Sequence, residues 1–264
     1  MMMASPTLPR RAGNDPADYG RHRFGSARVI ALPAAASWAR EAIEAEGTLH
    51  DWASSGPESA SFAGRGEVYS FQAPADGPDR RKRWAVRHYR RGGAVAARLG
   101  DRYLRLGRSR PEREIHAASA ARARGIRTPA VVAGAVYPAG MYYRCDLATE
   151  VVTGASTLAD VARDTDGTRA WLDAMAAAGR LATELAGAGI LHVDFNAHNI
   201  LFEEGDTGRP WVIDLDRARV SNRRDSDAAE RMLARLTRSV VKVGTPTGES
   251  LGDGEVLVAL RGKA

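Results

Sequence analysis

Alternating apolar and polar positions predict strands in the first part of the chain. Apolar residues alternate within 62–71 (FAGRGEVYSF), and the run 84–89 (WAVRHY) has the same character. The segment 73–79 (APADGPD) between them is rich in Pro, Gly and Asp, which favour turns. The two runs therefore predict an antiparallel hairpin. Further strands are predicted over the ranges 131–136, 141–145 and 147–152.

Three later segments carry apolar residues at helical spacing. The first predicts a helix that begins at Pro111 and is closed by Gly125. The second predicts a helix over 168–186, and the third a helix over 227–241 that opens with Asp227 in a capping box. Helical structure is therefore expected to dominate the second half of the chain.

The N-terminal residues are rich in Pro, Gly, Arg and Ala without a sustained period, which predicts a partly flexible arm over 1–40. Within it, Ser37 is expected to cap a short helix that reaches Ile43. A β-rich unit over 41–150 and a mainly helical unit over 151–264 are predicted to follow. The fold class expected from these patterns is α+β.

Composition excludes several classes of protein. The chain has 264 residues, of which 44% are hydrophobic and 27% are charged, values close to those of globular domains. Its one cysteine, Cys145, cannot form an internal disulfide, and no Cys/His group has zinc-site spacing. The chain also lacks the roughly 18 consecutive apolar residues of a membrane span and the apolar core of a signal peptide. A protein of the reducing cytosol is therefore expected.

Positive charge is concentrated in one segment. The formal net charge is +6, and lysine occurs only at Lys82, Lys242 and Lys263. Residues 80–127 hold sixteen Lys and Arg against three Asp and Glu, a net charge of +13. Such a segment attracts phosphate-rich partners, namely nucleic acid, anionic lipid or a phosphorylated substrate, although a solvated surface is the alternative. No aromatic residues are interleaved as in RNA-binding strands, so nucleic acid is not expected.

The segment 191–201 (LHVDFNAHNIL) is the most informative part of the chain. It contains H-x-D-x-x-x-x-N and is followed by the apolar run WVIDLD. Phosphoryl transfer needs a carboxylate that orients the acceptor hydroxyl and takes its proton, and oxygen ligands that hold Mg²⁺. Asp194, Asn199 and Asp214 meet these needs in chain order. Each is an ordinary turn residue when taken alone, but together they predict a kinase. The nearby Asp216 is expected to tune the metal site or bind an arginine.

Two upstream features fit nucleotide binding. Gly64 and Gly66 form a G-x-G whose backbone N–H groups are predicted to close over the triphosphate, although such a pair is more often only a turn. Arg87 occupies the position in W-A-V-R where protein kinases carry lysine, and it is predicted to contact phosphate. Glu114 is the expected ion-pair partner of Arg87, with Glu112 as the fallback.

These segments resemble the 3-deoxy-D-manno-octulosonic acid (Kdo) kinases of Gram-negative bacteria, which belong to the lipopolysaccharide kinase group. The resemblance covers about 60–242 and is most specific in RHYRRGG, GDRYL and D-x-N-A-H-N. It implies a protein-kinase-like fold with a small β-rich N-terminal lobe carrying one helix and a larger, mainly helical C-terminal lobe. It also implies transfer of the ATP γ-phosphate to the 4-hydroxyl of Kdo on a lipid A precursor, at the cytoplasmic face of the inner membrane.

The resemblance also implies a role for each candidate residue. Asp194 would be the catalytic base, and Asn199 and Asp214 would be the Mg²⁺ ligands. Arg87 would contact the ATP phosphates with Glu114 as its support. The basic segment would face anionic lipid and the charged substrate.

Two alternatives remain open on the sequence. A heptose kinase or an aminoglycoside-type phosphotransferase of the same fold would share these catalytic residues and differ in its acceptor pocket. An inactive kinase-like binding module is the second alternative. The presence of all three metal and base candidates argues against that second alternative, since a binding module has no chemical need for them.

Overall fold

The computed structural model describes residues 18–56, 59–62, 68–90, 100–163, 168–223, 225–244 and 251–262. The strands are β1 (Gly20–Phe24), β2 (Ala27–Ala31), β3 (Ala60–Phe62), β4 (Val68–Gln72), β5 (Arg83–His88), β6 (Tyr103–Leu104), β7 (Val131–Ala139), β8 (Tyr142–Glu150), β9 (Ser156–Thr157), β10 (Ile190–Leu191), β11 (Ile200–Glu203), β12 (Asp206–Val212) and β13 (Arg219–Val220). The helices are α1 (Pro33–Glu46), α2 (Leu49–Ser55), α3 (Arg110–Ala123), α4 (Leu158–Val161), α5 (Thr168–Gly187), α6 (Ala228–Val243) and α7 (Asp253–Leu260).

An antiparallel sheet of eight strands dominates the described residues before 151. Its order is β1-β2-β7-β8-β5-β4-β3, and β6 pairs with β8. The predicted hairpin is confirmed as β4 and β5. The strands predicted at 141–145 and 147–152 are one strand, β8, because the polar residue between them does not interrupt pairing. That residue, Asp146, is fully buried, and its carboxylate accepts hydrogen bonds from the Tyr137 hydroxyl (2.8 Å) and the His50 N–H (3.0 Å).

Helix α3 begins as predicted and lies close against the sheet. The Ser109 hydroxyl accepts a hydrogen bond from the Glu112 N–H, and the Glu112 carboxylate accepts one from the Ser109 N–H (2.8 Å), which completes a capping box. A Cβ added to Gly134 on β7 would lie 2.6 Å from the Cβ of Pro111. Glycine at this position therefore lets α3 approach the sheet closely, which brings Glu114 towards β5.

The N-terminal part of the chain corrects the expectation of an arm over 1–40. Residues 1–17 lie outside the described ranges, but β1 and β2 extend the sheet through pairing of β2 with β7, and α1 begins at Pro33. Ser37 lies within α1 and does not cap it. Arg21, Arg23 and Arg28 occupy exposed positions in these strands, and the buried positions are those of Ala27, Val29 and Ala31 on β2.

The remaining helices pack around the segments that carry the kinase motif. Helices α5 and α6 are found where they were predicted, but Asp227 at the start of α6 makes no side-chain capping hydrogen bond. The apolar core that joins α5, α6 and the α3 face of the sheet also contains Phe195, Ile200 and Leu215. These buried residues anchor the loop that follows β10 and the turn that follows β12. No helix in the described ranges is both long and apolar enough to cross a membrane.

Candidate active site

Hydrogen bonds from His192 fix the loop that carries the H-x-D motif. The imidazole is 1% exposed and accepts the Asp194 N–H at Nδ1 (3.2 Å). Its Nε2 therefore carries the proton and donates to the carbonyl oxygen of Ile213 (3.0 Å). Burial lowers the pKa of His192, which favours this neutral form. His192 thus ties the Asp194 loop to the end of β12.

The hairpin of β11 and β12 brings the two candidate metal ligands together. Ile200 pairs with Val212, and the Ile213 N–H donates to the Asn199 carbonyl oxygen (3.0 Å). The Asn199 side-chain amide donates to the carbonyl oxygen of Asp194 (2.9 Å). Asp214 follows with φ +64°, a left-handed conformation that is costly for a residue with a Cβ and is found at functional sites.

A partly buried guanidinium joins the sheet, α3 and the end of β12. Arg87 on β5 makes an ion pair with Glu114 on α3 and donates to Asp214 Oδ1 (3.0 Å). The hydroxyl of Tyr89 also donates to Glu114 (2.5 Å), and the Arg87 guanidinium lies 4.6 Å from the centre of the Tyr89 ring. The expected Arg87–Glu114 pair is therefore present. The fallback Glu112 instead caps α3 and pairs with an exposed arginine.

Burial and charge act in opposite directions on these groups. Burial raises the pKa of Glu114 to about 7 in spite of the Arg87 charge. Although burial lowers the pKa of Arg87, the carboxylates around it raise that pKa above its usual value, so the guanidinium remains charged. Burial also raises the pKa of Asp214, but Arg87 outweighs it and holds this pKa below its usual value. Burial and the charge of Asp214 raise the pKa of Asp216.

Glu114 is expected to give folding stability a pH dependence. Its pKa rises from an ordinary value near 4.5 to about 7, so the folded chain holds this proton more tightly than the unfolded chain. Its contribution to the free energy of unfolding is therefore full below about pH 4.5 and is lost as the pH rises to about 7. Relative to Glu114→Gln, the wild type should lose on the order of 2 kcal/mol over this range, measured by urea unfolding. Parallel pH profiles for the two proteins would contradict the assignment.

The sequence did not predict a role at this site for three residues that the structure places there. Arg235 on α6 pairs with Asp194 Oδ1 (2.5 Å), and it lowers the pKa of Asp194 although burial opposes this. Arg110 pairs with Asp216 Oδ2 (2.5 Å). Tyr89 contacts both partners of the buried ion pair.

Sequence signals exist for two of these three residues. Tyr89 shares a strand face with Arg87 because it lies two positions further on. Arg110 precedes Glu114 by four residues, which places both on one face of α3. Nothing in the apolar pattern of α6 marks Arg235.

The donor set suits a hard cation. The Asn199 amide nitrogen is engaged, so its Oδ1 is the ligand atom that it offers, and Asp214 offers carboxylate oxygen. Mg²⁺ is commonly held by one or two such groups together with phosphate oxygens. No group of three or more His, Cys, Asp or Glu suited to a metal occurs among the described residues. Gly64 and Gly66 lie outside the described residues, so their predicted contact with the triphosphate stays a prediction.

The chain is similar in sequence to a known family of kinases and to several of its members. Residues 52–250 match the lipopolysaccharide kinase (Kdo/WaaP) family. The chain is 34% identical over 183 residues to the 3-deoxy-D-manno-octulosonic acid kinase of Stenotrophomonas maltophilia, covering 68% of each chain. It is 35% identical over 191 residues to the enzyme of the same name from Xanthomonas campestris pv. campestris, covering 71% of this chain and 72% of the relative. For the Vibrio parahaemolyticus enzyme the identity is 28%, with 72% and 76% covered. The matched range contains the whole cluster described above.

Proposed function

The chain belongs to the lipopolysaccharide kinase (Kdo/WaaP) family and is an ATP-dependent phosphotransferase, and from this premise we propose that its acceptor is the 4-hydroxyl of Kdo on a lipid A precursor. The membership confirms the resemblance drawn from the motifs. The observation that carries the proposal is the assembly of Asp194, Asn199 and Asp214 through His192, in a chain whose relatives are named Kdo kinases.

Asp194 is proposed to orient the acceptor hydroxyl and take its proton. Its carboxylate is partly exposed, at 28%, and can therefore reach a substrate. Because Arg235 lowers its pKa, the carboxylate is ionised at neutral pH and ready to accept a hydrogen bond from the hydroxyl. Phosphoryl transfer depends mainly on positioning and charge stabilisation, so orientation is the larger part of this role.

Arg87 and Glu114 are proposed to act at the nucleotide end of the site. The guanidinium offers fixed N–H donors to phosphate oxygen, and Glu114 with Tyr89 holds it in place. Asn199 and Asp214 would hold Mg²⁺, which supplies charge neutralisation at the phosphates when bound. We further propose that the units 41–150 and 151–264 form the two lobes of a protein-kinase-like fold, with Gly64 and Gly66 covering the triphosphate.

An exposed apolar surface beside several arginines supports docking on an anionic bilayer. Leu104, Leu106 and Met141 are 44%, 79% and 74% exposed. They lie together because β6 pairs with β8 and the Arg105 N–H donates to the Met141 carbonyl oxygen (3.2 Å). The exposed arginines near them in the chain are Arg102, Arg105, Arg108 and Arg144. Apolar side chains flanked by cations suit the interface of an anionic membrane, which we propose is the cytoplasmic face of the inner membrane.

Removal of the three apolar side chains should release the protein from membranes without changing its charge. We expect the variant Leu104→Gln/Leu106→Gln/Met141→Gln to bind phosphatidylglycerol vesicles about tenfold or more weakly, because each inserted side chain contributes through burial of apolar surface. Vesicle co-sedimentation measures this. Val258→Gln is the control, since Val258 is 47% exposed on α7, which packs against α5 and α6. Equal binding by the triple variant and the wild type would show that this surface does not enter the bilayer.

The acceptor is tested with labelled ATP, Mg²⁺ and one of two substrates, a Kdo-bearing lipid A precursor or a heptose-bearing core. We expect label on the Kdo substrate alone, with the phosphate located on the 4-hydroxyl by NMR. Label on heptose instead would replace the acceptor while leaving the kinase assignment in place. Hydrolysis of ATP without transfer to either substrate would reject both acceptors.

A further inference from the structure

A second cationic cleft lies apart from the candidate active site. It has a volume of about 800 Å³, and its lining comes from the residues after α3, the second half of α5, the middle of β12 and the residues after β13. None of Arg87, Asp194, Asn199 and Asp214 lines it. Its volume is within the range of small-molecule sites in proteins. The cleft is therefore large enough for a ligand of its own.

Two arginines build the walls of this cleft. Arg124 donates to the carbonyl oxygens of Ala188 (2.6 Å) and Ser221 (3.3 Å), and to Asn222 Oδ1 (3.0 Å). It thereby joins the end of α5 to the segment after β13 and offsets the negative end of the α5 dipole. Arg127 lies 4.4 Å from the centre of the Trp211 ring and pairs with two carboxylates of the β11–β12 hairpin.

Three further arginines line the same cleft. Arg180, Arg209 and Arg223 line it, and none of their guanidinium groups has a hydrogen bond or ion pair with the part of the chain that the structure describes. Glu184 is the single carboxylate among the lining residues, and it is exposed. Surface arginines are commonly solvated, but here three line one concave site whose walls are already held by hydrogen bonds. This arrangement favours a ligand with several negative charges.

We propose that this cleft binds a small anion that carries two or more phosphate groups. The guanidinium fork matches phosphate oxygens in pairs, and three forks around one cavity exceed the needs of a single phosphate. A concave site of this size encloses a small molecule, whereas the exposed apolar side chains at Leu104 and Leu106 suit a bilayer. The phosphates could belong to a soluble molecule or to a lipid headgroup, and the two arms of the test distinguish these sources.

The test compares two variants with the same change in charge. Arg180→Gln/Arg209→Gln/Arg223→Gln removes three charges from the cleft. A matched control, Arg23→Gln/Arg28→Gln/Arg40→Gln, removes three exposed arginines from β1, β2 and α1. Both keep the nucleotide site intact, so any probe bound there contributes equally to the two variants, and the affinity of that site is measured separately with Mg²⁺ and a non-hydrolysable ATP analogue. Binding of inorganic tripolyphosphate is then measured by calorimetry, and binding to phosphatidylglycerol vesicles by co-sedimentation.

The proposal has distinct outcomes in the two arms. We expect the cleft variant to bind tripolyphosphate about a hundredfold more weakly than the control variant, with unchanged affinity for the ATP analogue. Loss of vesicle binding in the cleft variant alone would assign the cleft to a lipid phosphate instead of a soluble one. Equal binding by the two variants in both arms would overturn the proposal. Because the ATP analogue reports the catalytic site separately, that result would leave the proposed kinase function standing.

Discussion

Asp194→Asn should lower kcat by about 10² or more while leaving nucleotide affinity within a few-fold. The asparagine keeps the size of the side chain but cannot take the proton of the acceptor hydroxyl. The loop itself should remain in place, because His192 and Asn199 contact the backbone of Asp194 and not its carboxylate. Steady-state kinetics with the Kdo substrate and a separate nucleotide-binding measurement check the two halves of this expectation.

The ion pair with Arg235 provides the control for this variant. Asp194→Asn also removes that pair, so a loss of activity alone would not separate proton acceptance from the position of the loop. Arg235→Gln removes the pair and keeps the carboxylate, and both side chains are partly exposed. We expect only a few-fold change in kcat for Arg235→Gln. Near-normal turnover in Asp194→Asn would show that another group accepts the proton.

Asp214→Ala should abolish the tightening of nucleotide binding by Mg²⁺. The carboxylate is the one charged ligand that we assign to the metal, so its removal leaves Asn199 as a neutral partner. Asn199→Ala should weaken the effect of Mg²⁺ less completely, since the charged ligand remains. Nucleotide titrations with and without Mg²⁺ measure both changes.

Asp216 offers a matched control for the metal assignment. It is a second carboxylate two residues further on, it is buried, and it pairs with Arg110. Asp216→Ala should therefore keep the response to Mg²⁺, even where it lowers stability by leaving Arg110 without its partner. If Mg²⁺ tightened nucleotide binding in Asp214→Ala as it does in the wild type, the ligand would lie elsewhere in the chain.

Local patterns predicted the elements that bear the site, because spacing along the chain carries that information. The β4–β5 hairpin and α3 follow from alternation and from a proline-led start, and Asp194 follows from its motif. The same reasoning placed an arm where β1 and β2 stand, because the edge strand β1 (GRHRF) has one apolar residue and β2 (ARVIA) is too short to establish a period by itself. These residues form strands because β2 pairs with β7, which lies about 100 residues further along the chain.

Contacts between distant segments also explain what the sequence left unassigned. Asp146 interrupts an apolar run and reads as a break, yet partners from α2, β5 and β7 satisfy its carboxylate in the core. Arg235 reaches Asp194 only because α6 packs against the loop after β10. Such pairings depend on how helices and loops dock, which no local period encodes.

The guanidinium at Arg87 decides which chemical probes can detect this enzyme. Reagents that transfer an acyl group from a nucleotide phosphate require a lysine amine beside the phosphates, and the chain has lysine only at 82, 242 and 263. Lys82 lies five residues before Arg87, ahead of the start of β5, and it is exposed. Arg87 stays protonated and is a poor nucleophile. With Arg87 in the nucleotide-binding role that we propose, proteome-wide kinase surveys based on lysine acylation would pass over this protein, and reagents that modify arginine would be the suitable probes.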